Sequence, residues 1–237
     1  MFFRRLATRQ RRPELMDQPD LDPSQLRLAL KGIARVNRLS FSSRLLWRSI
    51  RHLAKQTRPR PLRVLDLACG SGDVAISLAS RARASKLAVQ FTGCDINPAA
   101  IEFARQKALD SGADIRFHTL DVLNEDLPKG FDIVTCSLFL HHLEEADAER
   151  VLRKMRRATR RLVLVHDLVR SRWGFLLAWV GTRVLSRSPI VHFDGPVSVE
   201  GAFTRAEAQR IAERAGLHGA TVRRRWPFRY LLSWSRP

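Results

Sequence analysis

The stretch VLDLACGSGD, Val64 to Asp73, decides how this chain is read. An apolar run passes straight into a Gly-x-Gly turn, and the turn opens a helical pattern, VAISLASRA. Strand, tight turn and helix in succession make the first half of a βαβ unit. Glycines at Gly70 and Gly72 let main chain approach a ligand closely. Gly70 to Ala75 even satisfies the loose dinucleotide pattern G-x-G-x-x-A. The acids point elsewhere. A pyrophosphate sits at a helix N-terminus because N–H groups and the dipole favour anions there. Asp66 at the strand end and Asp73 at the helix start would repel it.

The same acids suit a ligand carrying positive charge. S-adenosylmethionine has an ammonium and a sulfonium and no phosphate. Asp66 can attract the ammonium, directly or through water. Asp73 has a second reading as a helix-capping acid, and both stay open. The strand FTGCD ends in Asp95, where a ribose-binding acid belongs. DIRFHTLD ends in Asp121, followed by Val122. Its carboxylate can accept from an adenine amino group while a neighbouring N–H serves a ring nitrogen, or it can simply form a turn.

Working outward, strands and helices alternate. PLRVLDLA, LAVQFTGCD, DIRFHTLD, FDIVTCSLF and RRLVLVHD read as five strands. Helical patterns lie between them, and Pro98 sits in the first turn of one, where its missing N–H costs nothing. Near-continuous apolar runs such as DIVTCSLFL suit strands buried on both faces of a parallel sheet. ATVRRRW and FRYLLSWS, joined tightly at Pro227, read as an antiparallel hairpin. Ahead of the sheet, Ser24 can cap a helix through LRLALKGIARVNRL, and SSRLLWRSIRHLAKQ gives another. Residues 1–23, rich in Arg and Pro, are expected to lack stable order. RPRP (58–61) marks a stiff boundary. The expected division is a basic segment and helical cap at 1–60, then a ligand-binding domain at 61–237 with 168–203 inserted as a lid.

VLDLACGSGD, GCDINPAAIEFARQKA, the HTLDVL acid and FDIVTCSLFLHHLEE, in this order and spacing, resemble the class I S-adenosylmethionine-dependent methyltransferases. The resemblance covers roughly residues 62–167 and is closest to small-molecule enzymes, including those of quinone biosynthesis. It implies a doubly wound, mostly parallel seven-stranded α/β sheet of order 3-2-1-4-5-7-6, with the last strand antiparallel. It implies S-adenosyl-L-methionine as cofactor, held by Asp66, Ala68, Cys69, Gly70, Gly72, Asp95, Ile96, Asp121 and Val122. Ser137 and Leu138 would lie beside the methionine and sulfonium end. Cys69 departs from the small residue common there, but it fits sterically.

The resemblance implies methyl transfer, an in-line displacement that requires the acceptor to be aligned and, for a hydroxyl, its proton to be taken. SLFLHHL places His141 and His142 near the cofactor, as a base or as packing at a helix start. His166-Asp167 ends the fifth strand. VHFDGPVS is read as a loop that carries His192, a further base candidate or a loop contact, and Asp194, a turn former. WGFLLAWVGTRVL, with Trp173 and Trp179, joins Leu45, Leu46 and Trp47 as a lid over an apolar acceptor, or as packing on the sheet. A lipophilic phenol, quinol or polyketide-like aromatic is the expected acceptor, methylated on oxygen or carbon.

The charge leaves an alternative. Forty-two basic against 23 acidic residues give +19, and almost all the excess is Arg. That suits a nucleic acid, an anionic membrane surface under WGFLLAWV, or only solvated helix faces. Against a nucleic-acid methyltransferase, the fourth strand ends in CSLF and not in an Asn/Asp-Pro-Pro-aromatic box for a flipped base. A binding protein on a decayed methyltransferase fold is disfavoured by the acids at all three cofactor strands. Cys69, Cys94 and Cys136 have no CxxC spacing, so no metal site is expected from them. They read as reduced thiols packed at strand ends, consistent with a cytoplasmic setting and with MFFRRLATRQRR lacking a long apolar core.

Overall fold

The computed structural model describes residues 6–17, 21–39, 42–57 and 59–237. Residues 1–5 of the basic start and Arg58 of the RPRP boundary lie outside them. One sheet is built from β1 (Leu62–Leu67), β2 (Val89–Asp95), β3 (Ile115–Thr119), β4 (Phe131–Ser137), β5 (Thr159–Leu168), β6 (Thr221–Arg225) and β7 (Arg229–Ser235). Its order is β3-β2-β1-β4-β5-β7-β6. Every pairing is parallel except the two that β7 makes with β5 and β6. The expected sheet is therefore the observed one.

The apolar runs follow from burial on two faces. Leu62 and Val64 of β1 pack with Leu46 and Ile50 of α2 (Ser42–Gln56) and Leu78 of α3 (Asp73–Ala84). Leu65 and Leu67 face the other way. They pack with Val151 and Met155 of α5 (Glu145–Ala158) and Ile211 of α8 (Arg205–Arg214). The chain leaves β1 for β2 and β3, passes α4 (Pro98–Asp110), and returns to β4 on β1's other side. That reversal opens a crevice at the carboxyl ends of β1 and β4, where ligands bind in such sheets.

Three helices cross above this edge: α1 (Pro23–Leu39), α6 (Arg172–Leu185) and α7 (Pro189–Gly201). They meet at glycines. A Cβ at Gly32 of α1 would lie 2.2 Å from Ser186 Oγ, and one at Gly195 of α7 would lie 2.4 Å from Thr182 Cγ2 of α6. Among the described residues, no helix is long and apolar enough to cross a membrane.

Several local expectations are corrected. VHFDGPVS is helical despite Pro196, within α7. A proline removes one helical hydrogen bond, but this turn buries Val191, Asp194, Val197 and Val199. Asp194 is not a turn former. Its carboxylate accepts from Leu15 N and Met16 N at 2.8 and 3.1 Å. Asp22, not Ser24, caps α1, accepting from the N–H groups of Ser24 and Gln25. Within residues 1–23, the described part 6–17 is a fixed strap. Arg9 donates to the carbonyls of Gly201 and His141 at 2.6 and 3.1 Å, and Arg11 pairs with Glu144 at 2.6 Å. The carbonyls left open at helix ends attract guanidinium groups, so an Arg-rich segment found partners that its composition could not reveal.

Candidate active site

A cavity of about 620 Å³ lies at the carboxyl edge, between the sheet and the crossing helices. One end is polar. Asp66, Ala68, Cys69, Gly70, Asp95, Ile96, Asp121, Val122, Ser137 and Leu138, all expected at the cofactor, line it together. Gly72 does not line it. Gly72 sits at φ +71°, where a Cβ would press within 2.9 Å of Phe117, so it shapes the turn from behind.

The backbone here is unusual. Ala68 and Leu138, neither of them glycine, have φ of 49° and 56°. Such conformations cost about 1–3 kcal/mol each and gather where a site over-determines them. Gly70, at φ +51°, has nothing within 4 Å of where its Cβ would be. The space in front of it is open cavity, a cradle that any side chain would fill. Asp95 holds that turn, accepting from Gly70 N at 2.8 Å and from Asn97 N at 2.9 Å. Asp121 accepts from Leu123 N and Asn124 Nδ2 at 2.8 and 2.7 Å, so it forms a turn and also faces the cavity. Asp73 pairs with Lys107 and accepts from Ser71 Oγ.

Asp66 is buried and accepts from Thr135 Oγ1 at 2.8 Å. Burial pushes its pKa up to about 7, with Thr135 opposing and Asp95 adding to the rise. A cationic group brought to it would hold it ionised. Ser137 Oγ is buried with no hydrogen-bond partner, and Ile96 is an apolar side chain left 63% exposed. An open glycine cradle, a buried acid short of a counter-charge, an orphaned hydroxyl and an exposed apolar side chain fit S-adenosylmethionine. The three thiols are raised by burial and then by nearby carboxylates, Cys94 to about 12. None is a nucleophile.

The other end is apolar, walled by Leu26, Leu30 and Ile33 of α1 and by Leu177, Leu185 and Val199 of α6 and α7. Of the expected apolar cover, Leu177 and Leu185 of WGFLLAWVGTRVL are in this wall, while the other residues named for it are not. Leu46 and Trp47 lie in the sheet core, and Leu45 does not line the cavity. Trp173 and Trp179 point outward, 69% and 45% exposed.

The same cavity is lined by a chain of interacting titratable groups. His141 Nδ1 donates to Asp167 Oδ1 at 2.6 Å. His141 Nε2 lies 3.6 Å from Glu14 Oε1, and His142 Nε2 lies 3.8 Å from Glu14 Oε2. Ser198 Oγ donates to the same Glu14 at 2.5 Å. Burial opposes the charge on His141, but Asp167 and then Glu14 outweigh it and bring its pKa up to about 10. Asp167 and Glu14 stay below the usual carboxylate range, their burial outweighed by the two imidazoles. The two carboxylates thus favour the charged form of His141, and His141 and His142 both line the cavity. The donor atoms of Glu14, His141 and His142 all lie within 4.8 Å of one another, a set of types that also suits a cation.

His192 Nε2 donates to Ser186 O, 2.7 Å away, and is not part of the cavity wall. His166 does not pair with Asp167, because successive residues of a strand face opposite sides of the sheet. Glu14 and Arg229 were missed. Glu14 lay in a segment read as solvated, and Arg229 opened a strand read only for its apolar pattern.

Residues 64–161 match the methyltransferase domain family. The chain is 36% identical over 120 residues to demethylmenaquinone methyltransferase of Thermus thermophilus, covering 50% of this chain and 51% of that one. It is 32% identical over 160 residues to ubiquinone biosynthesis O-methyltransferase of Chromobacterium violaceum, covering 65% and 64%. The chain spans about half the length of the first curated relatives it matches. In fold it is similar to the plantazolicin methyltransferase BpumL, with TM-score 0.66, 13% identity and 88% and 89% of the two chains covered. It is also similar to the S-adenosylmethionine-dependent methyltransferase SibL, with TM-score 0.64, 22% identity and 99% and 64% covered. Residues 64–161 thus match a methyltransferase domain, and the chain is similar in sequence to methyltransferases of quinone biosynthesis.

Proposed function

We propose that the chain is an S-adenosylmethionine-dependent methyltransferase acting on an oxygen or carbon of a lipophilic small molecule of phenol, quinol or polyketide-like type. One observation carries the reading: a single cavity is lined by the polar cradle at Gly70, by apolar side chains of α1, α6 and α7, and by His142. The likeness to ubiquinone biosynthesis O-methyltransferases supports a quinol-like acceptor. S-adenosylmethionine, when bound, supplies a methyl group on an electrophilic sulfonium.

The chain's own residues do the rest. Asp66 meets the ammonium, Asp95 the ribose and Asp121 with Val122 the adenine, each by charge or hydrogen bond. Residues 1–60 and 168–203 act as cap and lid. Their apolar side chains exclude water and hold the acceptor in line. His142 takes the acceptor's proton at Nε2, where the adjacent Glu14 carboxylate stabilises the new positive charge. His141 and Asp167 hold Glu14 in place. His142→Ala is expected to lower turnover by about 10²–10⁴-fold while S-adenosylmethionine still binds. Gly70→Val and Asp95→Ala are expected to abolish that binding, as calorimetry would show.

The acceptor is read as arriving from an anionic membrane surface. Trp173, Leu176, Trp179, Val180 and Val184 make an exposed apolar row on α6, with Arg172 and Arg183 on the same helix. Flotation with phosphatidylglycerol vesicles, but not phosphatidylcholine ones, is the expected result. Equal flotation of a Trp173→Ser/Trp179→Ser variant would remove α6 from this role.

The deciding experiment supplies S-adenosylmethionine with a labelled methyl group to the protein and a cell extract. Label in the organic phase is expected. Label in RNA alone would replace this reading with a nucleic-acid methyltransferase.

A further inference from the structure

The cavity wall carries six acids, and each already has partners within the protein. Glu14 meets His141, His142 and Ser198, Asp66 meets Thr135, and Asp73 meets Lys107. Asp95, Asp121 and Asp194 accept main-chain N–H groups. Arg229 is the one Lys or Arg among the described residues of that wall, and it is not matched. It is 4% exposed, and its one hydrogen bond is a 3.3 Å contact to Ser42 Oγ. Among the described residues no carboxylate lies within ion-pair distance of it.

The surroundings compensate only in part. Burial lowers the pKa of Arg229 to about 10, with only the more distant Asp167 opposing. His166 on the neighbouring strand is held neutral, partly by the same guanidinium. A buried cation without a partner is costly, and a carboxylate placed against it recovers that cost through paired N–H···O bonds.

The position says which ligand brings the carboxylate. Arg229 is in register with Leu168 at the carboxyl end of β5. Its strand lies three places from β1, about 14 Å away at about 4.8 Å per strand. It is therefore remote from the Gly70 cradle, and it lines the same cavity as the apolar Leu177 and Leu185.

We infer that Arg229 is the seat for a carboxylate on the methyl acceptor, so that the acceptor is an amphiphile with an apolar body and one acidic group. This deepens the methyltransferase reading and rests on it for the word acceptor. The seat itself is tested without cofactor. Decanoate and 1-decanol share an apolar chain and differ in the charged end. The wild-type chain is expected to bind decanoate about 10- to 100-fold more tightly in calorimetry. Arg229→Met should erase that preference and leave decanol binding unchanged. Arg116→Met, at an exposed position on β3, should change neither.

Equal affinities in the wild type, or a preference surviving Arg229→Met, would overturn the seat. If Arg229→Met does not fold, Arg229→Lys keeps the charge but loses the planar fork, and it should weaken decanoate severalfold with decanol unaffected. No change in decanoate binding would again overturn the seat. S-adenosylhomocysteine and 5′-methylthioadenosine separate the remaining source. If Arg229→Met weakens only the former, the seated carboxylate belongs to the cofactor and the acceptor assignment fails. Failure of the wild type to bind S-adenosylhomocysteine would instead sink the methyltransferase reading.

Discussion

Adjacent residues of β5, His166 and Asp167, sit on opposite faces of the sheet and have opposite fortunes. On one face Asp167 meets His141, which faces Glu14, which faces His142. Every charge there has a counter-charge. On the other face His166 is fully buried with neither ring nitrogen bonded, and the charge nearest to it in effect is the guanidinium of Arg229. The first face is self-consistent in the free protein. The second is not, and that imbalance marks where a ligand's charge belongs.

The contrast is sharpest under substitution. Asp167→Ala strands the His141 imidazolium in the interior. It is expected to cost about 3–5 kcal/mol in urea unfolding. A cost under about 1 kcal/mol would mean that His141 simply loses its proton and that the network is not ionic. Glu14→Gln keeps the shape but removes the charge shared by two imidazoles. About 1–3 kcal/mol is expected, along with a loss of turnover, since His142 would no longer have a carboxylate beside it.

The two histidines also set opposite limbs of the stability–pH curve. His141 has a folded pKa of about 10 against an ordinary 6.5. Its stabilisation is complete below about 6.5 and is lost as pH rises toward 10. His166 has a folded pKa of about 3. The unfolded chain takes up its proton first, so stability falls as pH drops from about 6.5 toward 3. Together they place a stability maximum near neutrality. Thermal melts across pH should show that His141→Asn flattens the alkaline limb and His166→Leu the acid limb. If both variants flatten the same limb, the assignment of charge states to the two faces is wrong.

The smallest effect belongs to His166→Leu at neutral pH. Replacing an unbonded buried polar group by an apolar one of similar size is near neutral or stabilising, within about 1 kcal/mol. A large destabilisation there would show that the imidazole is bonded after all. Ligand binding adds one more handle. Asp66, raised to about 7 by burial, must be ionised to meet an ammonium, so S-adenosylmethionine affinity should weaken as pH falls below about 7.

Much of this site was legible in the chain. The strands and the GxG turn were readable because a parallel sheet demands continuous apolar strands and tight glycine turns, which are local patterns; the strand order came from the family resemblance. The acids at three strand ends were readable for the same reason. A strand end fixes its last side chain at the crevice whatever the rest of the fold does. His141 and His142 were legible as candidates, but their roles were not, since only the fold shows which carboxylates each imidazole meets.

The sequence by itself determined the sheet, the cradle at Gly70 and the ring of acids, because each depends on neighbours a few residues away. Only the tertiary structure decided what Glu14, Asp167, His192 and Arg229 do. Glu14 meets His141 across 127 positions of chain, and Asp194 reaches back to Leu15. His192 turns to Ser186 inside a helix that Pro196 seemed to forbid. Among the described residues, no carboxylate lies within ion-pair distance of Arg229. Charge pairing depends on distance in space, and for these four residues chain spacing carried no record of it.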